Sequence, residues 1–250
     1  MGNILEIKNL KHHFADGTPG IDGINMTVRE GEFVLIAGQN GSGKTTLLRH
    51  LNGLLVPTAG SVTLAGISVS ENPARARQMV GMVFQDADSQ IVGETVCDDV
   101  AFGPENLCLD RAEIQKRVSE ALEAVRLTEF ADQSPHLLSG GQKRRLAIAG
   151  ILAMKSEVLV FDEPFSNLDY PGVRQILRQI LSLHQAGHTI LLTTHDLEKV
   201  FAHADRLIIM KDGKIARDGS PNEVVRDAEM FGVRQPCASR PGIEIGSWLN

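Results

Sequence analysis

The run Gly38-Gln39-Asn40-Gly41-Ser42-Gly43-Lys44-Thr45-Thr46 constrains the fold more than any other stretch of this chain. It follows the apolar residues 33–37, which read as a buried strand, and it opens Leu47-Leu48-Arg49-His50-Leu51, which reads as the start of a helix. Strand, glycine-rich loop ending in Gly-Lys-Thr, then helix is the setting in which this spacing signifies phosphate binding. Gly38, Gly41 and Gly43 let the backbone curl until successive N–H groups point inward, a concave anion site closed by a helix N-terminus. Asn40, Ser42 and Thr46 belong to the same cradle. Lys44 adds a positive point charge for β- and γ-phosphates, and the Thr45 hydroxyl can ligate Mg²⁺. The bland alternative, a strand-to-helix turn with an incidental lysine, is opposed by the elements on either side.

A chain of 250 residues is long enough for one large α/β domain or two small ones, with ample core. The net charge of -6 gives no basic surface of the nucleic-acid type. Three cysteines, Cys97, Cys108 and Cys237, lack paired ligand spacing and indicate a reducing compartment, with neither a disulfide frame nor a zinc site. No apolar run approaches the roughly 18 residues that span a bilayer. Glu6 comes too early for a signal-peptide core, and it also stands where a myristoylation signal needs Ser or Thr. These features lead to the expectation of a cytoplasmic protein.

From Ile4 to Val34 the pattern is short and strand-like, with Asp16-Gly17 and Asp22-Gly23 expected as turns. Phe14, just before the first of them, is equally a base-stacking aromatic and a core plug. Strands follow at residues 61–66 and 80–85, with a short polar helix between. From Asp86 to about Lys155 the spacing is helical, which points to a helical subdomain inserted in an α/β core. Strands resume at Val158–Phe161. A helix closing at Gly187, a strand ending in His195, a helix over 196–204 and a hairpin turning at Asp212-Gly213 follow, and the last helix is expected at about Asn222–Met230. The remainder, 233–250, is interrupted by proline and glycine and stays unassigned.

Two further stretches carry chemistry. Val158–Phe161 ends in Asp162-Glu163-Pro164, which puts acids at the carboxyl end of a strand, where ligands of open α/β sheets collect. Asp162 can hold Mg²⁺, and Glu163 can orient or deprotonate a water attacking a γ-phosphate. An acidic pair in that position is also a common helix cap. Leu138-Ser139-Gly140-Gly141-Gln142 again sets glycines and a serine at a helix start. Ser139 and Gln142 make a capping box, which leaves the two glycines unexplained.

Phosphate loop, LSGGQ, DEP, Ser166–Asp169 and a histidine at 195, in this order, resemble the ATP-binding cassette (ABC) ATPases over roughly residues 3 to 230. The resemblance implies a P-loop NTPase (RecA-like) α/β fold with a mostly parallel sheet core, an N-terminal antiparallel β subdomain and an inserted α-helical subdomain. On that reading residues 1–232 form the ATPase domain, with about 86–155 inserted. It further implies that Gln85, ending its strand, touches Mg²⁺ or water, that Phe14 stacks on adenine, that Asp169 crosses a dimer interface and that His195 meets the γ-phosphate. Ser139, Gly140, Gly141 and Gln142 of one subunit would complete the site on the other's phosphate loop, so that two ATP molecules lie between two subunits.

Residues 84–109 are similar to the energy-coupling factor (ECF) or cobalt-type importer ATPases, departing by Ala87 where proline is usual and by DEPFSNLDY in place of DEPTAGLD. The likeness implies a peripheral ATPase on the cytoplasmic face of the cell membrane. It also implies a second ATPase subunit, identical or paralogous, a transmembrane coupling protein and a substrate-binding membrane subunit for a metal ion or vitamin. Glu94, Asp98 and Asp99 beside Val96, Val100 and Phe102 form an expected groove for an arginine-bearing partner helix. Acids enriched at a helix start for dipole reasons are the alternative. A soluble ABC ATPase acting on DNA or ribosomes is the rival function, though the chain has neither a long coiled coil nor tandem cassettes. A P-loop kinase or GTPase is opposed by LSGGQ and by the lack of a guanine-reading NKxD.

Overall fold

The structure is a computed structural model that describes residues 2–237 and 247–249. Strand β3 (Phe33–Ala37) is buried along its whole length and divides the core by side-chain alternation. Phe33, Leu35 and Ala37 face one apolar cluster, while Val34 and Ile36 face the other. Burial on both faces explains the unbroken apolar run and is the mark of a parallel sheet. Five strands run parallel here: β9 (Arg206–Lys211), β3, β8 (Thr189–Thr194), β7 (Val158–Asp162) and β6 (Val80–Val83). An antiparallel edge strand, β10 (Lys214–Gly219), completes the six.

A second sheet covers one face of the first. It contains β2 (Pro19–Arg29), β1 (Asn3–His13), β4 (Ala59–Leu64) and β5 (Ile67–Ser68) in that spatial order, all antiparallel. Ile7, Leu10, Ile24 and Val62 enter the same cluster as Val34, Ile36 and the helix α1 (Lys44–Leu51). The opposite face carries α3 (Val96–Asn106), α4 (Arg111–Ala124), α5 (Gly140–Ala153) and α6 (Tyr170–Gln185). Short helices α2 (Pro73–Met79) and α7 (Pro221–Val224) finish the set. Every element between β6 and β7 is helical. The two sheets and their helices agree with the expected fold class.

Four local expectations change. Asp22-Gly23 is no turn: both lie inside β2, where the register against β1 shifts and Gly23 (φ 74°) bulges. The β6 strand stops at Val83, because the Gln90 side chain takes the ladder's place, donating to Met82 O at 2.7 Å and accepting from Phe84 N at 3.2 Å. Gln85 therefore stands two residues beyond its strand. Residues 196–204 form two single 3₁₀ turns, Leu197–Lys199 and Phe201–His203, in place of one helix. The final helix is α7 followed by a 3₁₀ stretch, Val225–Phe231. Of the unassigned 233–250, residues 238–246 and 250 lie outside the described residues. Trp248 stacks beside Tyr170 with ring centroids 5.2 Å apart, and Arg174 donates to Leu249 O at 2.8 Å.

Candidate nucleotide-binding site

Between β3 and α1 the chain makes the loop that the sequence predicts, and its glycines are structural necessities. Gly43 has φ 99°, and a Cβ there would sit 2.8 Å from Gly20 O. At Gly38 a Cβ would meet Met210 O and Ser42 Oγ, each at 2.5 Å. Asn40 through Thr46 line a cavity of about 420 Å³ together with Phe14, Gln85 and Glu163. Next to it Thr45, Gln85 and Asp162 share a second hollow.

Lys44 is 6% exposed, and its ammonium donates to Gly38 O at 2.7 Å and Gln39 O at 3.1 Å. Burial holds its pKa below the ordinary lysine value, while the charges of Glu163 and Asp162 oppose that shift. Two buried oxygens here have no hydrogen-bond partner among the described residues, Ser42 Oγ and Glu163 Oε1, and the latter lies 3.7 Å from Lys44 Nζ. Bare buried polar atoms of this kind mark a place built for a ligand.

The acids come from β7. Asp162 accepts from Thr45 Oγ1 at 2.7 Å and from Thr193 Oγ1 at 2.6 Å, so the start of α1 and the ends of β7 and β8 converge on one carboxylate. Glu163 follows at φ 48°, a strained value for a side-chain-bearing residue, and is held by Thr193 O and Oγ1. Its Oε2 accepts from His195 Nδ1 at 2.9 Å, with His195 standing directly after β8. Lys44, Glu163 and His195 thus form one contact series. Thr45 Oγ1, the Asp162 carboxylate and the Gln85 amide are hard oxygen donors along one hollow, a set that fits Mg²⁺.

Phe14 is 43% exposed at the cavity's edge, packed over Gly20 and edge-on to His12 with centroids 5.0 Å apart. Ser139, Gly140, Gly141 and Gln142 do not line this cavity. The capping box forms, and a Cβ at either glycine would meet nothing within 4 Å. Asp169 also stands apart from the cavity, capping α6 by accepting from Gly172 N.

Sequence reasoning missed Arg144. Its guanidinium is buried and donates to Gln85 O at 2.6 Å, to Ser166 O at 3.2 Å and to Pro164 O. One α5 side chain thereby ties the loop after β6 to the loop after the acids. Lys143 adds an ion pair to Asp88 in the same region.

The acidic groove also needs revision. Asp98 spends its carboxylate on the α3 capping box with Thr95, and Asp99 Oδ1 accepts from Val92 N and Gly93 N. Val96 and Val100 are fully buried in the core, and Glu94 is exposed. A groove of about 490 Å³ does exist there, lined by Phe84, Ile91, Val92, Phe102 and Met154, with Asp99 among its walls.

A parallel sheet with a strand–phosphate loop–helix unit and a strand-end acid beside the loop's threonine defines a P-loop nucleotide-hydrolysing protein. The ABC transporter family matches residues 21–166, and the chain belongs to that family. It is 47% identical over 229 residues to the energy-coupling factor transporter ATP-binding protein EcfA of Methanocaldococcus jannaschii, covering 90% of this chain and 82% of that protein. A putative ABC transporter ATP-binding protein of Halobacterium salinarum is 47% identical over 93% of this chain and 100% of its own length. Among solved structures, cbiO1 of Clostridium perfringens, part of the ABC transporter complex cbiONQ, superposes with a TM-score of 0.82 at 36% identity, covering 92% of this chain and 96% of that one. A dimeric ATP-binding cassette bound to ADP and phosphate superposes at 0.77 with 30% identity, covering 87% and 98%. The chain is an ATP-binding, ATP-hydrolysing transport component, and among its described residues no helix is long and apolar enough to cross a membrane.

Proposed function

We propose that this chain is the ATPase subunit of an ECF-type importer, working in pairs on the cytoplasmic face of the membrane to drive uptake of a metal ion or vitamin. The observation that carries the chemistry is the Glu163 carboxylate, buried within reach of both Lys44 and His195. The likeness to an ECF ATPase over nine-tenths of the chain supports the importer class. Residues 1–232 act as one ATPase domain with about 86–155 as its helical insert.

ATP binds with its adenine on Phe14 and its phosphates in the cradle of Gly38, Asn40, Gly41, Ser42, Gly43, Lys44, Thr45 and Thr46. Incoming phosphate oxygens replace Gly38 O and Gln39 O as acceptors for the Lys44 ammonium. Thr45, Asp162 and Gln85 would hold Mg²⁺, which would supply positive charge to offset that of the phosphates. Glu163 takes the proton of the attacking water as its oxygen bonds to the γ-phosphorus and the bond to the β-phosphate oxygen breaks. His195 orients that carboxylate and presents its other ring nitrogen to the γ-phosphate. A partner's Ser139–Gln142 turn and Asp169 close the site, in keeping with open space at Gly140 and Gly141.

A helix of the transmembrane coupling protein docks in the groove of Phe84, Ile91, Val92 and Phe102, with Asp99 in its wall and Glu94 and Asp98 close by in the chain, and a substrate-binding subunit completes the assembly. A nucleic-acid-directed ABC ATPase is not favoured, since the relatives bear transporter names and the net charge is -6. The test is Glu163→Gln: kcat falls by about 10²-fold or more while ATP still binds. Near-normal hydrolysis would sink the assignment. Co-purification with ribosomes or DNA in place of membrane proteins would sink the importer reading.

A further inference from the structure

A cavity of about 480 Å³ opens between the end of α4, the flank of α5 and the outer face of α6, away from the nucleotide site. Arg126, Arg145 and Arg178 line it with Gln175, Gln179 and Ser182, and no carboxylate is among its walls. Arg145 is only 7% exposed. Its Nη1 donates to Val125 O at 2.7 Å and Arg126 O at 3.1 Å, while its buried Nε has no partner among the described residues. None of the three arginines enters an ion pair among the described residues.

That is an unusual arrangement in a chain with more acids than bases, 31 against 25. Buried charges are ordinarily paired, because leaving one alone in a low-dielectric setting is costly. Here a like charge is brought closer instead. Arg126 sits at φ 56°, a strained backbone value, and after burial its charge is the next cause holding the Arg145 pKa below its ordinary value, with Glu129 opposing. Guanidinium forks match phosphate oxygens two at a time, and glutamine amides and a serine hydroxyl add neutral donors. The volume exceeds that of a single phosphate and falls in the range of small-molecule sites.

We propose that this cavity is a second anion site, taking a small molecule with two or more linked phosphate groups, such as pyrophosphate or the polyphosphate of a nucleotide. Arg126 follows α4, Arg145 belongs to α5 and Arg178 to α6, so a bound polyphosphate bridges the helical block and the strand-bearing core.

The experiment titrates pyrophosphate into full-length chain carrying Lys44→Ala, which removes the loop ammonium from the first site. Calorimetry at low salt is expected to show binding that weakens at least about tenfold when Arg126→Gln and Arg178→Gln are added. Both positions are exposed, so the double variant alone should keep its melting temperature and its basal ATPase rate. Parallel titrations with ADP and ATP distinguish the source: binding that depends on the same arginines makes it a nucleotide, and binding of pyrophosphate alone makes it an inorganic polyphosphate. No binding up to about 10 mM (a free energy near 3 kcal/mol) would overturn the proposal. So would an affinity unchanged within about twofold by loss of both arginines.

Discussion

Arg144 meets three carbonyls on two loops of the candidate site and, among the described residues, has no acid at hydrogen-bond distance, so its worth lies in placing backbone. Arg144→Met should lower kcat about tenfold or more with KM for ATP changed less than about twofold, because Gln85 and Glu163 are displaced while the phosphate cradle is untouched. Arg144→Lys should recover part of the rate, and a steady-state titration of ATP separates the two parameters. A second residue sets a pH limit. Burial holds the His50 imidazole below its ordinary pKa, with Nδ1 donating to Thr46 O at 2.7 Å. The unfolded chain then binds a proton that the folded chain refuses, so stability is full above about 6.5 and falls as pH drops towards the lower folded pKa. Melting curves from pH 7.5 to 5.5 should show that decline, and His50→Gln should reduce its slope; half-buried His203 contributes with the same sign. Lys44, Asp162 and Glu163 were legible because their spacing to a strand end is itself the signal. Arg144 was not, since its partners are carbonyls up to 59 residues away and its local context reads only as helix-start basics.

Element boundaries follow the same division between local and distant causes. Thr95 and Asp98 form a reciprocal cap on α3, visible in sequence as acids at a helix start. Thr95→Ala should cost about 1 kcal/mol, read as a lower urea midpoint with unchanged slope. Because Asp98 and Asp99 are committed to backbone N–H groups, reversing them to lysine would loosen α3 as well as any partner contact. Phe102→Asp is the cleaner probe: Phe102 is 52% exposed on the groove, so membrane association should drop while ATP binding and melting temperature hold. The two Asp-Gly pairs at 16–17 and 212–213 turn the chain as read, with Asp212 at φ 50° and Gly213 at φ 73°. Asp22-Gly23 has the same letters and becomes a bulge, because Leu10 pairs with Ile24 and Lys11 with Asp22, which leaves Gly23 between them without a cross-strand partner. Only the register of β1 against β2 separates those outcomes, and register is a property of two strands. Residues 196–204 kept their apolar spacing yet broke into 3₁₀ turns, where Asp196 bonds Glu198 N in place of starting a longer helix.

On the scale of the whole molecule, the unbroken apolar run 33–37 was enough to foresee a buried strand, and the helical stretch from Asp86 foresaw what fills the gap between β6 and β7. What spacing could not supply is which residues meet which, and that decides the assembly. The chain presents a phosphate cavity on one side and a Ser139–Gln142 turn that does not line it. With Glu163→Gln, ATP should convert monomer to a dimer that scattering detects, and removal of ATP should reverse it. The separation of cradle and turn also has a genetic reading. A chain with Lys44→Ala is defective in the cradle, and one with Ser139→Ala is defective in the turn. In a mixed pair one pocket collects both lesions and the other collects neither. Two inactive alleles expressed together should therefore restore turnover in the mixed pairs, about half of an equal mixture.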